Sequence, residues 1–107
     1  MNSNTQASAS TGYALVTGAS SGIGAAIARE YARRGVPLIL TARRIERLQA
    51  LSAELGTQVD VVTLAADLAD PGTPAALQNE IAGRGLHVAH LVNNAGYGVP
   101  GRYLSAD

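Results

Sequence analysis

A glycine-rich segment with the sequence TGASSGIG, at residues 17–24, has the composition and spacing of a phosphate-binding turn. Gly18 permits a tight turn out of a strand, Gly22 lets a phosphate approach the backbone, and Gly24 lets a helix pack close to a sheet. A helix that starts within the segment presents free N–H groups and a partial positive charge to phosphates. A P-loop is excluded because it ends in Gly-Lys-Ser/Thr, so we interpret the segment as a dinucleotide site. The candidate binding residues here are Gly18, Ser20, Ser21, Gly22, Ile23 and Gly24, with the serines acting through their hydroxyl groups.

The residues that follow the next predicted strand indicate which dinucleotide is bound. A site for NAD usually has Asp or Glu about 20 residues after the first glycine, where the acid holds the ribose 2′-hydroxyl. Here the sequence reads LTARR at 40–44 and has no acid before Glu46. A carboxylate would repel a 2′-phosphate, whereas a guanidinium binds one through charge-assisted hydrogen bonds. We therefore expect NADP(H) rather than NAD, with Arg43 as the first phosphate ligand and Arg44 as the second. The alternative is that both arginines are solvated residues at the start of a helix.

The composition excludes several kinds of chemistry. The 107 residues include no cysteine, which rules out disulfides, thiol nucleophiles and thiolate zinc sites. Lysine is also absent, so a reaction that needs an ammonium group is not complete within this chain. His87 and His90 have no cysteine or acidic partner nearby in the sequence, and we predict no metal site. Eight arginines balance eight acids, and this neutrality argues against nucleic acid or an anionic membrane as a partner.

Four short apolar runs predict the strands that would carry these residues. The runs cover residues 13–17, 37–41, 59–65 and 88–93. Helical segments separate them, and the order β-α-β-α-β-α-β requires a parallel sheet with right-handed crossovers. The predicted fold class is therefore α/β, a Rossmann-type doubly wound parallel sheet with strand order 3-2-1-4. The fourth strand would then lie at an edge of the sheet, with one open side.

The intervening segments show helical periodicity and end signals. The first helix, over 22–34, has Ile23, Ile27 and Tyr31 at four-residue spacing on one face. In the third helical segment, Thr73 is predicted as the N-cap and Pro74 as the first helical residue. Helices of this kind cover the faces of the parallel sheet.

Three motifs occur in the order found in the short-chain dehydrogenase/reductase family, which this sequence resembles over 12–107. They are TGASSGIG after the first strand, Asp67-Leu68 after the third, and Asn93-Asn94-Ala95-Gly96 after the fourth. The resemblance implies that Asp67 accepts a hydrogen bond from the adenine amino group and that Leu68 lines the same pocket. The alternative is that Asp67 is a turn or cap residue, a role that suits Asp70 better.

The asparagine motif has two expected roles. The resemblance places Asn94, Ala95 and Gly96 beside the inner ribose of the cofactor. The first asparagine, Asn93, is expected to be mainly structural and to bond neighbouring backbone in the sheet.

The resemblance also implies a reaction. Members of the family transfer a hydride between nicotinamide C4 and a carbonyl or alcohol carbon, with help from a tyrosine, a lysine four residues after it, a serine and an asparagine. Neither Tyr97 nor Tyr103 is followed by lysine at that spacing, so we predict no catalytic residue in this chain. We expect the NADP(H)-binding portion of an oxidoreductase whose catalytic half is absent. The alternative is a non-catalytic NADP(H)-binding module that acts as a sensor or assembles with a full-length relative.

The organisation of the chain is simple. Residues 1–12 are polar and uncharged and are expected to form a mobile tail, and residues 13–107 form the first part of a Rossmann domain. The open edge of the predicted sheet favours a truncated domain. Because no secretory signal or membrane span is visible, the default expectation is a cytoplasmic protein. By resemblance, the complete enzyme would act on a small carbonyl or alcohol substrate as a homo-oligomer.

Overall fold

A computed structural model of the chain describes residues 12–67 and 70–94, and within them four strands alternate with three helices. The strands are β1 (Tyr13–Thr17), β2 (Leu38–Ala42), β3 (Val61–Ala65) and β4 (Val88–Asn93). The helices are α1 (Gly22–Arg33), α2 (Glu46–Leu55) and α3 (Thr73–Gly83). The predicted succession of elements is confirmed.

The described strands form one parallel sheet. β1 pairs with β2 on one side and with β4 on the other, and β2 pairs with β3, so the order is β3-β2-β1-β4, as predicted. The register places Thr17 opposite both Thr41 and Asn93. Parallel strands bring their carboxyl ends to the same edge of a sheet. β2 and β3 are added on one side of β1 and β4 on the other, and at such a reversal of strand order α/β proteins have a crevice in which they bind ligands.

Alternate side chains of the central strand serve the two faces of the sheet. Ala14 and Val16 pack beneath α1 and α2, whereas Tyr13 and Leu15 pack beneath α3. Every residue of β1 and β2 is buried. Strands that are covered on both faces read as continuous apolar runs, and for this reason the sequence locates them well.

The packing of α1 differs from the prediction. The helix buries Gly24, Ala28 and Ala32 against the sheet, and not the row of Ile23, Ile27 and Tyr31. Ile23 is 69% exposed, and the other two members of that row are half-buried. The predicted row does share a face, but a neighbouring stripe of small residues makes the closest contact. Small residues let the helix axis approach the sheet, an advantage that hydrophobicity alone does not reveal.

Several element boundaries also differ by one or two residues; β3, for example, begins at Val61 and not at residue 59. α3 begins at Thr73, with Gly72 as the N-cap, and no side chain caps the helix. The prediction of Thr73 as N-cap is therefore wrong by one residue. β2 begins at Leu38, one residue after Pro37, whose carbonyl oxygen accepts a hydrogen bond of 2.9 Å from the N–H of Ala14. The proline has no N–H of its own to contribute, so the ladder starts after it.

Gly12, which precedes β1, lies against the start of β4. Gly12, predicted as part of the tail, is buried and has a φ of +91°; a side chain there would lie 2.7 Å from the Cβ of Ala89. The rest of the predicted tail lies outside the described residues. No helix in the described part of the chain is long and apolar enough to cross a membrane.

Candidate functional site

The glycine-rich turn between β1 and α1 is built from local hydrogen bonds. Gly18 has a φ of +64°, which only glycine adopts without strain. Ser21 is the N-cap of α1, with extended backbone angles, and its Oγ accepts a hydrogen bond of 3.0 Å from the N–H of Gly24. A serine in this position is the usual start of a helix because it satisfies one of the free N–H groups of the first turn. The turn thus ends in a well-defined helix N-terminus.

Gly22 and Gly24 occupy opposite environments within this turn. A Cβ added to Gly24 would lie 2.4 Å from the carbonyl oxygen of Gly18 and 3.0 Å from the Cα of Ala19, so a side chain does not fit. A Cβ added to Gly22 would meet nothing within 4 Å. Gly24 therefore serves the close packing of the turn, and the backbone at Gly22 faces open space through which a ligand can approach.

The first turn of α1 is suited to an anion. Among the described residues, the N–H groups of Gly22 and Ile23 donate to no protein acceptor, as expected for the first positions of a helix. This turn also contains no acidic side chain. Free N–H groups together with the helix dipole favour a negative charge at this point.

Asn94, which directly follows β4, holds the glycine-rich turn in place. Its Nδ2 donates to the carbonyl oxygen of Gly18 at 3.1 Å and to Oγ of Ser21 at 2.8 Å. The preceding Asn93 accepts a bond of 3.1 Å at Oδ1 from Oγ1 of Thr17. The asparagine motif thus joins the end of β4 to the end of β1 and to the turn.

A cavity of about 440 Å³ opens at the carboxyl ends of the strands. It is lined by Gly18, Ser20, Ser21, Ile23, Thr41, Ala42, Arg43, Ala66, Asp67 and Asn94. All four strands therefore contribute to it, through the residues at or just beyond their ends. Of the predicted site residues, Gly22, Gly24 and Arg44 lie outside this lining, and Leu68, Ala95 and Gly96 lie outside the described residues.

The two aspartates after β3 differ in their surroundings. Asp67 is exposed and lines the cavity. Asp70 accepts a hydrogen bond of 3.1 Å at Oδ1 from the N–H of Gly72, and its own N–H donates to the carbonyl oxygen of Asp67 at 3.0 Å. Asp70 therefore has the geometry of a turn residue, and the side chain of Asp67 lies where a ligand could reach it.

A second, smaller cavity of about 210 Å³ adjoins the first and is strongly basic. Ser20, Arg43, Arg44 and Arg47 line it. Ser20 and Arg43 line both cavities, so the two lie side by side. Sequence analysis identified Arg43 and Arg44 but missed Arg47, which follows them by only three and four residues, at the start of α2.

A strongly shifted titratable group lies at the other end of the sheet. Burial raises the pKa of Tyr13 to about 12, with further contributions from its hydrogen bond to Asp60 and from the negative charge of that carboxylate. Tyr13 starts β1 and Asp60 precedes β3, so both lie at the amino ends of the strands, away from the cavity. The pair belongs to the framework of the sheet. Within the described residues, no group of three or more His, Cys, Asp or Glu side chains could hold a metal ion.

Comparison with known proteins agrees with this geometry. A family model described as short chain dehydrogenase matches residues 12–106. Sulfoacetaldehyde reductase 2 of Chromohalobacter salexigens is 45% identical over 82 residues, which are 77% of this chain and 32% of the relative. The chain spans about a quarter to a third of the length of the curated relatives it matches.

Solved structures resemble the fold as well. A short-chain dehydrogenase from Sphingobium yanoikuyae, solved in complex with NADPH, has a TM-score of 0.70 and 45% identity over 79% of this chain and 34% of its own. L-sorbose reductase from Gluconobacter frateurii, solved with NADPH and L-sorbose, has a TM-score of 0.74 and 37% identity over 81% of this chain and 34% of its own. The match to the family model over nearly the whole length shows that the chain belongs to the short-chain dehydrogenase family of oxidoreductases.

Proposed function

We propose that this chain is the NADP(H)-binding portion of an oxidoreductase that transfers a hydride between a nicotinamide and a carbonyl or alcohol substrate. The observation that carries the proposal is the adjacency of two cavities. One lies at the glycine-rich turn and the helix N-terminus, and the other is lined by arginines. A dinucleotide with an additional phosphate on its ribose requires this combination. The relatives solved with NADPH support the same choice of cofactor.

The larger cavity and the first turn of α1 beside it fit a dinucleotide. The open space in front of Gly22 and the free N–H groups at the start of α1 suit the pyrophosphate, with Ser20 and Ser21 offering hydroxyl groups beside it. Asp67 is our candidate for the adenine amino group, and Leu68 for the wall of the same pocket. Asn94, Ala95 and Gly96 are our candidates beside the inner ribose.

The choice of NADP(H) over NAD rests on charge at the end of β2. Asp67, after β3, is the one carboxylate among the described residues that line the two cavities, and the residues after β2 contribute arginines instead: Arg43 lines both cavities and Arg44 lines the smaller. A carboxylate would repel the 2′-phosphate, whereas a guanidinium binds it in a charge-assisted hydrogen bond. Such a bond contributes about 1.5–3 kcal/mol, or roughly ten- to a hundredfold in affinity.

The chemistry proposed for the complete enzyme is hydride exchange, which the nicotinamide supplies when bound. The residues of this chain bind and orient the cofactor. The family's acid, a tyrosine with lysine four residues later, has no counterpart here because the chain contains no lysine. We therefore expect the 107-residue chain to bind NADPH without reducing carbonyl compounds. This expectation also suits the second candidate function, a non-catalytic NADP(H)-binding module.

Titration of the purified protein with NADPH and with NADH tests the proposal. We expect tighter binding of NADPH, and we expect Arg43→Ala to weaken it at least tenfold. Arg84→Ala is the matched control, because Arg84 lies after α3, remote from both cavities, and pairs with Glu80 at 2.8 Å. NADPH affinity that stays within twofold after Arg43→Ala would contradict the assignment. Carbonyl reduction that follows the 107-residue polypeptide through repeated purification would contradict the predicted inactivity.

A further inference from the structure

The arginines of the described chain fall into two groups. Arg29, Arg33, Arg34 and Arg84 all form ion pairs with glutamates. Hydrogen bonds from Arg33 and Arg34 lower the pKa of Glu30 below the usual value for glutamate, and a hydrogen bond from Arg29 does the same for Glu54. In the same residues, no ion pair involves Arg43, Arg44 or Arg47, and these three line one cavity. The unpaired guanidinium groups are therefore gathered in one place.

The start of α2 brings Arg47 to that place. The N–H of Arg47 donates to the carbonyl oxygen of Arg44 at 3.1 Å, and the N–H of Leu48 donates to that of Ile45 at 2.9 Å, so the chain turns tightly into the helix. Side chains on a helix slant toward its N-terminus and cover the preceding turn. Arg47, the second residue of α2, is thereby directed back over the residues that follow β2.

The cluster is electrostatically unfavourable without an anion. Like charges repel, and cations near a helix N-terminus oppose the helix dipole. The first turn of α2 contains one acid, Glu46, against this cluster of three arginines, and the N-cap residue, Ile45, offers no side-chain cap. A dianionic phosphate in the cavity would convert the repulsion into attraction.

The arginines differ in which of the two cavities they line. Arg43 lines both cavities, so it borders the space proposed for the adenosine as well as the space proposed for the added phosphate. Arg47 lines only the smaller cavity. We propose that Arg47 is a third ligand of the ribose 2′-phosphate and that it determines specificity for NADP(H) over NAD(H). This inference rests on the proposed function, and it adds a residue that binds the 2′-phosphate and no other part of the cofactor.

The test compares Arg47→Gln with Arg84→Gln, which removes the same charge at a remote site. Dissociation constants are measured for NADPH and NADH. We expect Arg47→Gln to weaken NADPH about tenfold, the lower end for a charge-assisted bond because the side chain is exposed. NADH binding should stay within twofold, and Arg84→Gln should change neither. An equal loss for both cofactors, or NADPH affinity within twofold of the unmodified protein, would overturn the inference.

Two further variants separate this inference from the proposed function. If Arg43→Gln weakens NADPH and Arg47→Gln does not, the 2′-phosphate site stands and Arg47 has no part in it. If neither variant affects NADPH, the proposed site itself is wrong. Arg47→Lys keeps the charge but loses the planar fork of donors, so an intermediate loss of NADPH affinity is expected. The rise in Tm on adding each cofactor is measured for every variant, so a variant of lowered stability is still compared with its own ligand-free form.

Discussion

Replacing each of two neighbouring glycines with alanine should shift stability in opposite directions. Both Gly22 and Gly24 lie in the first turn of α1, where alanine is a better helix former than glycine by up to about 1 kcal/mol. Neither has a positive φ. The intrinsic gain is therefore shared by both substitutions, and the difference between them isolates the cost of fitting a methyl group.

That cost follows from the surroundings of each Cβ. At Gly24 the methyl group would lie 2.4 Å from the carbonyl oxygen of Gly18 and 2.9 Å from Nδ2 of Asn94, which itself bonds that oxygen. Relief requires movement of backbone or loss of the asparagine bonds, and such overpacking costs about 1–3 kcal/mol. We take about 3 kcal/mol, because two of the nearest atoms belong to the backbone. After the helix gain, Gly24→Ala should destabilise the protein by about 2 kcal/mol.

Gly22→Ala meets no atom within 4 Å and should stabilise the fold by about 0.4–1 kcal/mol. Thermal unfolding followed by circular dichroism should therefore show a Tm that falls by about 10 °C for Gly24→Ala and rises by a few degrees for Gly22→Ala. The more stable variant should nevertheless bind NADPH and NADH more weakly, since its methyl group occupies the space proposed for the pyrophosphate. A Gly24→Ala protein that melts within 2 °C of the unmodified one, or a Gly22→Ala protein less stable than Gly24→Ala, would refute the reasoning.

Other substitutions test the remaining contacts. Because the pKa of Tyr13 is raised to about 12, its contribution to stability is complete below pH 10 and is lost as the pH rises toward 12. Urea unfolding should show this loss, of about 2–3 kcal/mol, in the unmodified protein but not in Tyr13→Phe. Stability profiles of the two proteins that run parallel with pH would contradict the prediction. Asn94→Ala removes two hydrogen bonds to the glycine-rich turn, so we expect the free energy of unfolding in urea to fall by about 1–2 kcal/mol and NADPH binding to weaken. An unchanged affinity would mean that the turn keeps its shape without the asparagine. Arg29→Ala breaks an exposed bridge to Glu54 between α1 and α2, so we expect only a small loss of stability in urea unfolding, and one that shrinks with added salt. A large loss that does not depend on salt would point instead to packing by the arginine stem.

The sequence predicts the parts of this structure that depend on pattern and local chemistry. The fully buried strands β1 and β2 read as apolar runs, their alternation with helices predicts a parallel sheet, and the dinucleotide-binding motif favours the order 3-2-1-4. The glycine-rich turn was recognisable because strand, glycines and helix follow each other directly. The same logic placed Arg43 and Arg44, since the residue after a strand in a parallel sheet lies at the ligand-binding edge.

Features that depend on distance between elements were out of reach. The burial of Ala28 in place of Ile27 reflects how closely α1 approaches the sheet, which hydrophobic periodicity does not encode. The bond between Ser21 and Asn94 joins residues 73 positions apart and appears only when β4 lies beside β1. Arg47 was predictable in principle, because it follows the other two arginines by only three and four residues, at the start of the next helix.

The locking of the turn by Asn94 also constrains the order in which the protein folds. β1, α1 and β2 are neighbours in the sequence and can assemble early, because their contacts close only short loops. The bond from Asn94 to the carbonyl oxygen of Gly18 closes a loop of 76 residues, and contacts of such separation form late and slowly. Until β4 docks, the glycine-rich turn lacks its lock and the cavity lacks one wall. A ligand that binds only the completed turn therefore stabilises a late step of folding, the docking of β4 on β1. Its binding should slow the exchange of the amide hydrogens that form the hydrogen bonds between these two strands.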